Sequence, residues 1–288
     1  MSKIEKALEK ARRLRNDREK QAGGHLSIES GMGVQQESEF REPTVISLES
    51  NHLEKNRIMT LLDNPIVADY YNLLRTQVLW RTRPKGQNTI MVTSALDGEG
   101  KTVTAINLAV SIARDVKHSV LLVDTDLRNP KINTYLGCNM KKGLSDHMLN
   151  DTPLDELVIN PGVPKMLVLP AGRALAGSTD VLGSPKMEKL VREMKHRDPE
   201  RYVVFDSPPL LAVPDALVFS SYVDGVLLVI EAGRTAKEQI RKSVELLVGR
   251  NILGLVMNKV KDLDRGYGYY RYYHEQQSDP RSLSASDA

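Results

Sequence analysis

The sequence has 288 residues, 41% of them hydrophobic and 27% charged, a balance that fits a soluble globular protein and excludes a wholly disordered or fibrous chain. Lys and Arg number 40 against 37 Asp and Glu, a net charge of +3, so overall charge gives no reason to expect nucleic acid as a partner. The single cysteine, Cys138, excludes an intrachain disulfide framework and fits a reducing compartment. Apolar runs such as Ser119–Val123 and Val203–Phe205 fall far short of the roughly 20 residues of a transmembrane helix. Charge from Lys3 onward leaves no apolar core for a secretory signal. The chain is therefore expected to stay in the cytoplasm.

Residues 1–20 read as a basic amphipathic helix. Ser2 can cap it with Glu5 as reciprocal partner, and Ile4, Leu8, Ala11 and Leu14 form one narrow apolar stripe. Gly, Ser, Gln and Glu with little periodicity follow, which predicts a flexible linker over 21–60. A second helix is expected over Val67–Trp80, where Val67, Tyr71, Leu74 and Val78 recur at helical spacing. Beyond it the pattern alternates between strands and helices. Thr89–Thr93, Ser119–Val123, Met166–Leu169, Tyr202–Phe205, Gly225–Ile230 and Leu253–Met257 are short apolar runs rich in β-branched residues, separated mostly by amphipathic stretches. Strands that are apolar along their length suit a parallel sheet covered on both faces. The central domain, 61–262, is thus read as a doubly wound, mostly parallel α/β fold with a helical N-terminal extension. Residues 263–288 read as a disordered tail containing Tyr267, Tyr269, Tyr270, Tyr272 and Tyr273.

The strongest chemical signal is Ala95-Leu96-Asp97-Gly98-Glu99-Gly100-Lys101-Thr102, placed after one predicted strand and opening a helix. In a loop of this kind backbone N–H groups face phosphate oxygens, Lys101 reaches the terminal phosphates and the Thr102 hydroxyl can ligand Mg²⁺. Ala95 stands where the usual pattern has its first glycine, but the strand-loop-helix setting and the Gly100-Lys101-Thr102 core keep the match. Two further segments release carboxylates from strand ends, Asp124-Thr125-Asp126-Leu127-Arg128 and Asp206-Ser207-Pro208-Pro209. Open α/β sheets bind ligands at that edge. A nucleoside triphosphate also needs Mg²⁺, an ion that prefers one or two carboxylates with waters and phosphates.

These motifs, together with the tyrosine-rich tail, resemble the bacterial tyrosine kinases of capsule and exopolysaccharide synthesis, P-loop proteins unrelated in fold to eukaryotic kinases. The resemblance covers about Asn64 to Tyr273, and the opening Ser2-Lys3-Ile4-Glu5-Lys6-Ala7-Leu8-Glu9-Lys10-Ala11 is similar to exosortase-associated tyrosine autokinases. It implies ATP and Mg²⁺ as cofactors and a nucleotide site formed by Gly98, Glu99, Gly100, Lys101, Thr102, Val103 and Asn258, the last as an adenine contact. It assigns Thr102, Asp126 and Asp206 to the metal, Lys101, Asp124 and Asp126 to catalysis, and proton acceptance to Asp124. The five tail tyrosines become phosphoacceptors, each phosphate adding about −1.5 to −2 charge. The implied partners are a membrane-embedded polysaccharide chain-length regulator as activator, a second copy of the chain for trans-phosphorylation and a cognate tyrosine phosphatase, with no nucleic acid. The implied location is the inner face of the cytoplasmic membrane. One departure concerns assembly: the family's self-association helix reads Glu-x-x-Arg-x-x-Arg, and the corresponding positions here are Asp69, Asn72 and Arg75. The rival class is the switch ATPases of partitioning and division-site selection, which carry Lys-Gly-Gly-x-Gly-Lys-Thr. Leu96 occupies the place of their additional lysine, and they lack a tyrosine tail.

Overall fold

The computed structural model describes residues 43–62 and 64–261. The helix expected over 1–20, the first half of the predicted linker and the tyrosine tail lie outside the described residues. The strands are β1 (Thr44–Val45), β2 (Thr89–Ser94), β3 (Ser119–Asp124), β4 (Ile159–Asn160), β5 (Met166–Leu169), β6 (Arg201–Asp206), β7 (Gly225–Glu231) and β8 (Ile252–Asn258). They form one eight-stranded sheet in the order β1-β4-β5-β3-β6-β2-β7-β8. Every neighbouring pair is parallel except β4 with β5.

Side chains of the central strands alternate between two cores. Ile90 and Val92 of β2 and Val120 and Leu122 of β3 enter one, while Met91, Leu121 and Val123 enter the other. The period of two explains why strands buried on both faces read as unbroken apolar runs. The first core is covered by helices α1 (Ser50–Lys55), α2 (Pro65–Thr82), α3 (Lys101–Ala113) and α4 (Ile132–Leu136). The second is covered by α5 (Leu144–Asn150), α6 (Ser178–Leu182), α7 (Pro185–Arg197), α8 (Asp215–Phe219) and α9 (Lys237–Leu246). Helices on both faces make the domain doubly wound, as expected.

Local chemistry sets the helix ends. Asn64 caps α2 by accepting from Val67 N at 3.1 Å, with Pro65 in the first turn, and Ser184 caps α7 the same way through Met187 N at 3.2 Å. A proline there forfeits only an N–H that the helix would leave unpaired. Helix α3, which follows the phosphate-binding loop, is buried on all sides except at Val103, so the loop rests on an immobile base.

The folded unit begins earlier than the composition suggests. Residues 43–60, expected to end the linker, contain β1 and α1, and Leu53 and Ile58 are buried in the first core. A polar segment holding a few well-placed apolar residues can anchor to a core without showing any periodicity. Of the three positions on the family's self-association helix, Asn72 accepts from Ser111 Oγ at 3.0 Å and Arg75 donates to Ser111 O at 2.8 Å. Both are thus spent on α3 of the same chain, while Asp69 is exposed.

Candidate functional site

Parallel strands deliver their C-terminal ends to one edge of the sheet. Asp124 and Asp206 end β3 and β6 and lie opposite each other in register. Between the end of β2 and the start of α3 runs the loop of residues 95–100. Gly98 and Gly100 have φ of 81° and 95°, a region where a side chain is strained.

Lys101 projects from the first turn of α3 into this cluster. Its Nζ lies 2.7 Å from Asp126 Oδ2 and 3.7 Å from Asp206 Oδ1, with Thr102 Oγ1 at 3.4 Å. Burial alone would push the ammonium toward neutrality; the carboxylates of Asp206 and Asp126 outweigh it and hold Lys101 above the ordinary lysine range. Asp206 is wholly buried, and neither of its carboxylate oxygens has a hydrogen-bond partner among the described residues. Burial raises its pKa, and the Lys101 charge with the nearby Thr102 hydroxyl offsets that only in part. A buried carboxylate with one loose ion pair and no close hydrogen bond is costly, and the cost falls when a second cation reaches it.

Asp124 is placed differently. Its Oδ1 accepts from Asp126 N at 3.1 Å, and its Oδ2 accepts from Lys131 N at 3.2 Å and Ile132 N at 3.1 Å. The carboxylate therefore pins the loop that carries Asp126. Burial, followed by the charge of Asp206, pushes Asp124 up to about 8. The loop is closed from below by Thr125, which donates from N and Oγ1 to Asp206 O, both at 2.8 Å.

The sequence-predicted residues thus converge, although not all face the same way. Lys101 brings Thr102, Asp126 and Asp206 together beside the loop that carries Gly98 and Gly100. Glu99 turns its side chain inward, where Oε2 accepts from Leu96 N at 2.8 Å and Oε1 from the Thr235 hydroxyl. Val103 packs against the first core. Asn258, at the end of β8, donates from Nδ2 to Glu99 O at 2.8 Å, so it touches the loop itself. Tyr267, Tyr269, Tyr270, Tyr272 and Tyr273 fall outside the described residues.

Sequence reasoning missed the polar framework that holds the site. Arg128 donates from Nε to Asp215 Oδ2 at 3.2 Å and from Nη2 to both Asp215 Oδ1 at 3.2 Å and Thr179 Oγ1 at 3.0 Å. Asp215, fully buried, also accepts from the Ser178 and Thr179 hydroxyls. This ties the Asp126 loop to the starts of α6 and α8. The only sequence signal was an arginine four residues after the strand-end Asp124. On the opposite rim Lys259 donates to Gly98 O at 2.7 Å and to Glu231 Oε2 at 2.9 Å, and nothing in the sequence marked it.

Among the described residues no helix is long and apolar enough to cross a membrane. A family model described as an AAA domain matches residues 87–248. The tyrosine-protein kinase YwqD of Bacillus subtilis is 33% identical over 225 residues, covering 76% of this chain and 93% of that protein. Among solved structures, the kinase domain of the Escherichia coli tyrosine kinase ETK aligns with a TM-score of 0.66 at 27% identity, over 74% of this chain and 84% of that one. The VpsO kinase domain aligns with a TM-score of 0.62 at 32% identity, over 72% of this chain and 98% of that one. With a P-loop lysine held between Asp126 and the strand-end Asp206 and relatives of this kind along most of their length, the chain belongs to the bacterial tyrosine kinase family.

Proposed function

We propose that the protein is an ATP- and Mg²⁺-dependent protein-tyrosine autokinase that phosphorylates its C-terminal tyrosine cluster in trans and so regulates polymerisation and export of an exopolysaccharide or capsule. The observation that carries the reading is Lys101, a buried ammonium 2.7 Å from Asp126 and 3.7 Å from the fully buried Asp206.

The chain's own residues divide the work as follows. The N–H groups of the loop and the N-terminus of α3 would bind the phosphates, and Lys101 would leave Asp126 for the terminal phosphate oxygens, freeing that carboxylate. Asp126, Asp206 and the Thr102 hydroxyl would hold Mg²⁺. Such an ion would take phosphate oxygens and water for its remaining ligands. When bound, Mg²⁺ supplies neutralisation of the charge on the transferring phosphoryl group. Asp124 would accept the proton of the incoming tyrosine hydroxyl, as the resemblance implies, once an oxygen is released from the backbone donors Asp126 N, Lys131 N and Ile132 N that hold the carboxylate in the ligand-free state. Arg128 and Asp215 would keep the Asp126 loop in register with the phosphate loop. Asn258 would meet the adenine from the lip formed by β8.

The tail tyrosines of one copy would enter the site of another, and the accumulated phosphates would repel one another and loosen the assembly. A membrane-embedded polysaccharide chain-length regulator would activate the enzyme at the inner face of the membrane, and a cognate tyrosine phosphatase would reset it. The test is purified full-length protein, with and without an activator fragment, incubated with Mg²⁺-ATP and probed for phosphotyrosine. Lys101→Met is expected to abolish the signal, and replacing the five tail tyrosines by Phe to remove most of it. ATP hydrolysis with no tyrosine ever modified would instead support the switch-ATPase reading.

A further inference from the structure

The rim opposite the aspartates is built by β8. Consecutive residues of a strand point to opposite faces, yet Asn258 and Lys259 both reach the phosphate-binding loop. The reason is backbone conformation: Lys259 has φ of 58°, a left-handed geometry that costs a non-glycine residue of the order of 1 kcal/mol. It breaks the alternation and sends two neighbouring side chains to two neighbouring carbonyls. Asn258 Nδ2 donates to Glu99 O at 2.8 Å and Lys259 Nζ to Gly98 O at 2.7 Å.

Each partner is itself anchored. Asn258 is paired in the sheet with Glu231, and its carbonyl accepts from Ala232 N at 2.9 Å. Lys259 is shared with Glu231 Oε2 at 2.9 Å, which Arg234 also contacts at 3.0 Å. Gly100 permits the approach, because a Cβ there would lie 2.1 Å from Asn258 Nδ2.

Peptide planarity turns these contacts into a statement about the opposite side of the loop. In a trans peptide the C=O of one residue and the N–H of the next point in opposite directions. Holding Gly98 O fixes the direction of the Glu99 N–H, and holding Glu99 O fixes that of the Gly100 N–H. Neither N–H finds an acceptor among the described residues. Both are therefore aimed away from β8 and kept for an anion.

We propose that Asn258 and Lys259, with Glu231 behind them, are positioning residues that preorganise the phosphate-binding loop by clamping two successive peptide carbonyls. The inference rests on the nucleotide-binding part of the proposed function, and it makes the last strand before the tyrosine tail part of the nucleotide site. Because the clamp acts alike on ground state and transition state, its loss should raise KM for ATP and leave kcat nearly unchanged.

The test titrates full-length protein with Mg²⁺-ADP carrying a fluorescent label on the ribose, for wild type, Lys259→Met, Lys259→Arg, Asn258→Ala and Glu231→Gln. Melting of each ligand-free variant is measured alongside. Lys259→Met is expected to weaken binding about tenfold, because the two loop N–H groups are no longer held for the anion, with only a small drop in ligand-free melting from the lost internal bonds. Lys259→Arg, which keeps a cation between Gly98 O and Glu231, should restore affinity to within about twofold. Asn258→Ala should weaken binding too, but it also removes the proposed adenine contact, so Glu231→Gln, which loosens Lys259 without touching nucleotide, should weaken binding less and replaces Lys259→Met as the decisive variant should that protein not fold. Unchanged affinity in Lys259→Met and Glu231→Gln, or equal losses in the Met and Arg variants, overturns the clamp. Wild type that binds no nucleotide defeats the functional reading instead, whereas nucleotide binding without tyrosine phosphorylation leaves the clamp standing.

Discussion

The two ends of the same sheet each hold an aspartate, partly buried at one end and fully buried at the other, and they treat it in opposite ways. Asp224, just before β7, accepts from Asn88 N at 3.0 Å, Thr89 N at 3.1 Å and Thr89 Oγ1 at 2.8 Å, and it pairs with Lys195. Burial would raise its pKa, but Lys195, Thr89 and the backbone donors together hold it below the ordinary carboxylate range. Asp206, at the end of β6, has no hydrogen bond to either oxygen and is held above that range by burial. One carboxylate is fully served by its own chain and fastens β2, α7 and β7 together. The other sits beside two more carboxylates and a single lysine. A fold stabilises itself with the first kind and stores unmet binding capacity in the second, so the state of a carboxylate's partners separates architecture from chemistry more sharply than burial does.

Removing each carboxylate should therefore have opposite consequences. Asp224→Ala leaves Lys195 and two backbone N–H groups without their acceptor, and it should lower stability by about 2 to 4 kcal/mol, toward the lower end because Lys195 is 30% exposed. Urea unfolding of the ligand-free protein measures this. A loss below about 0.5 kcal/mol would mean that water replaces the carboxylate without penalty and that the two edges do not differ in kind.

Asp206→Asn is smaller and of opposite sign. It removes one of three mutually repelling carboxylates while Lys101 keeps Asp126 at 2.7 Å, so ligand-free stability should rise or hold, by up to about 1 kcal/mol. The same variant should lose most of the rise in melting temperature that Mg²⁺-ADP gives wild type. Destabilisation as large as that of Asp224→Ala would make Asp206 a structural residue and sink the contrast.

How much of this was legible in the sequence follows the same division. Strands buried on both faces announce themselves, because a run such as Val120–Val123 has no polar alternative. Strand-end aspartates and the Gly100-Lys101-Thr102 core announce themselves because local order alone defines them. The two-residue strands β1 and β4 carry too little periodicity to register. Contacts that join distant segments were invisible for a deeper reason: Arg128 with Asp215, Lys195 with Asp224 and Lys259 with Gly98 lie 87, 29 and 161 positions apart. Each depends on which strands the sheet places side by side. The left-handed turn at Lys259 has no glycine or asparagine to signal it, since the clamp it forms, rather than local preference, sustains it.

The smallest expected effect concerns pH and tests the satisfied edge alone. The pKa of Asp224 is lowered in the folded protein, so its contribution is complete above the unfolded value of about 3.9 and is lost as pH falls through the folded value. The Asp224→Ala penalty should thus be constant from pH 7 to about pH 5 and then shrink. At pH 3.5 the unfolded chain binds the proton more readily than the folded one, which takes about 0.7 kcal/mol from the penalty if the folded carboxyl is still ionised. Urea unfolding of wild type and variant in parallel at pH 7, 5 and 3.5 reads the difference directly, and titrations shared by both proteins cancel. A penalty that grew on acidification would place the Asp224 pKa above its unfolded value, and the two edges of the sheet would then be electrostatically alike.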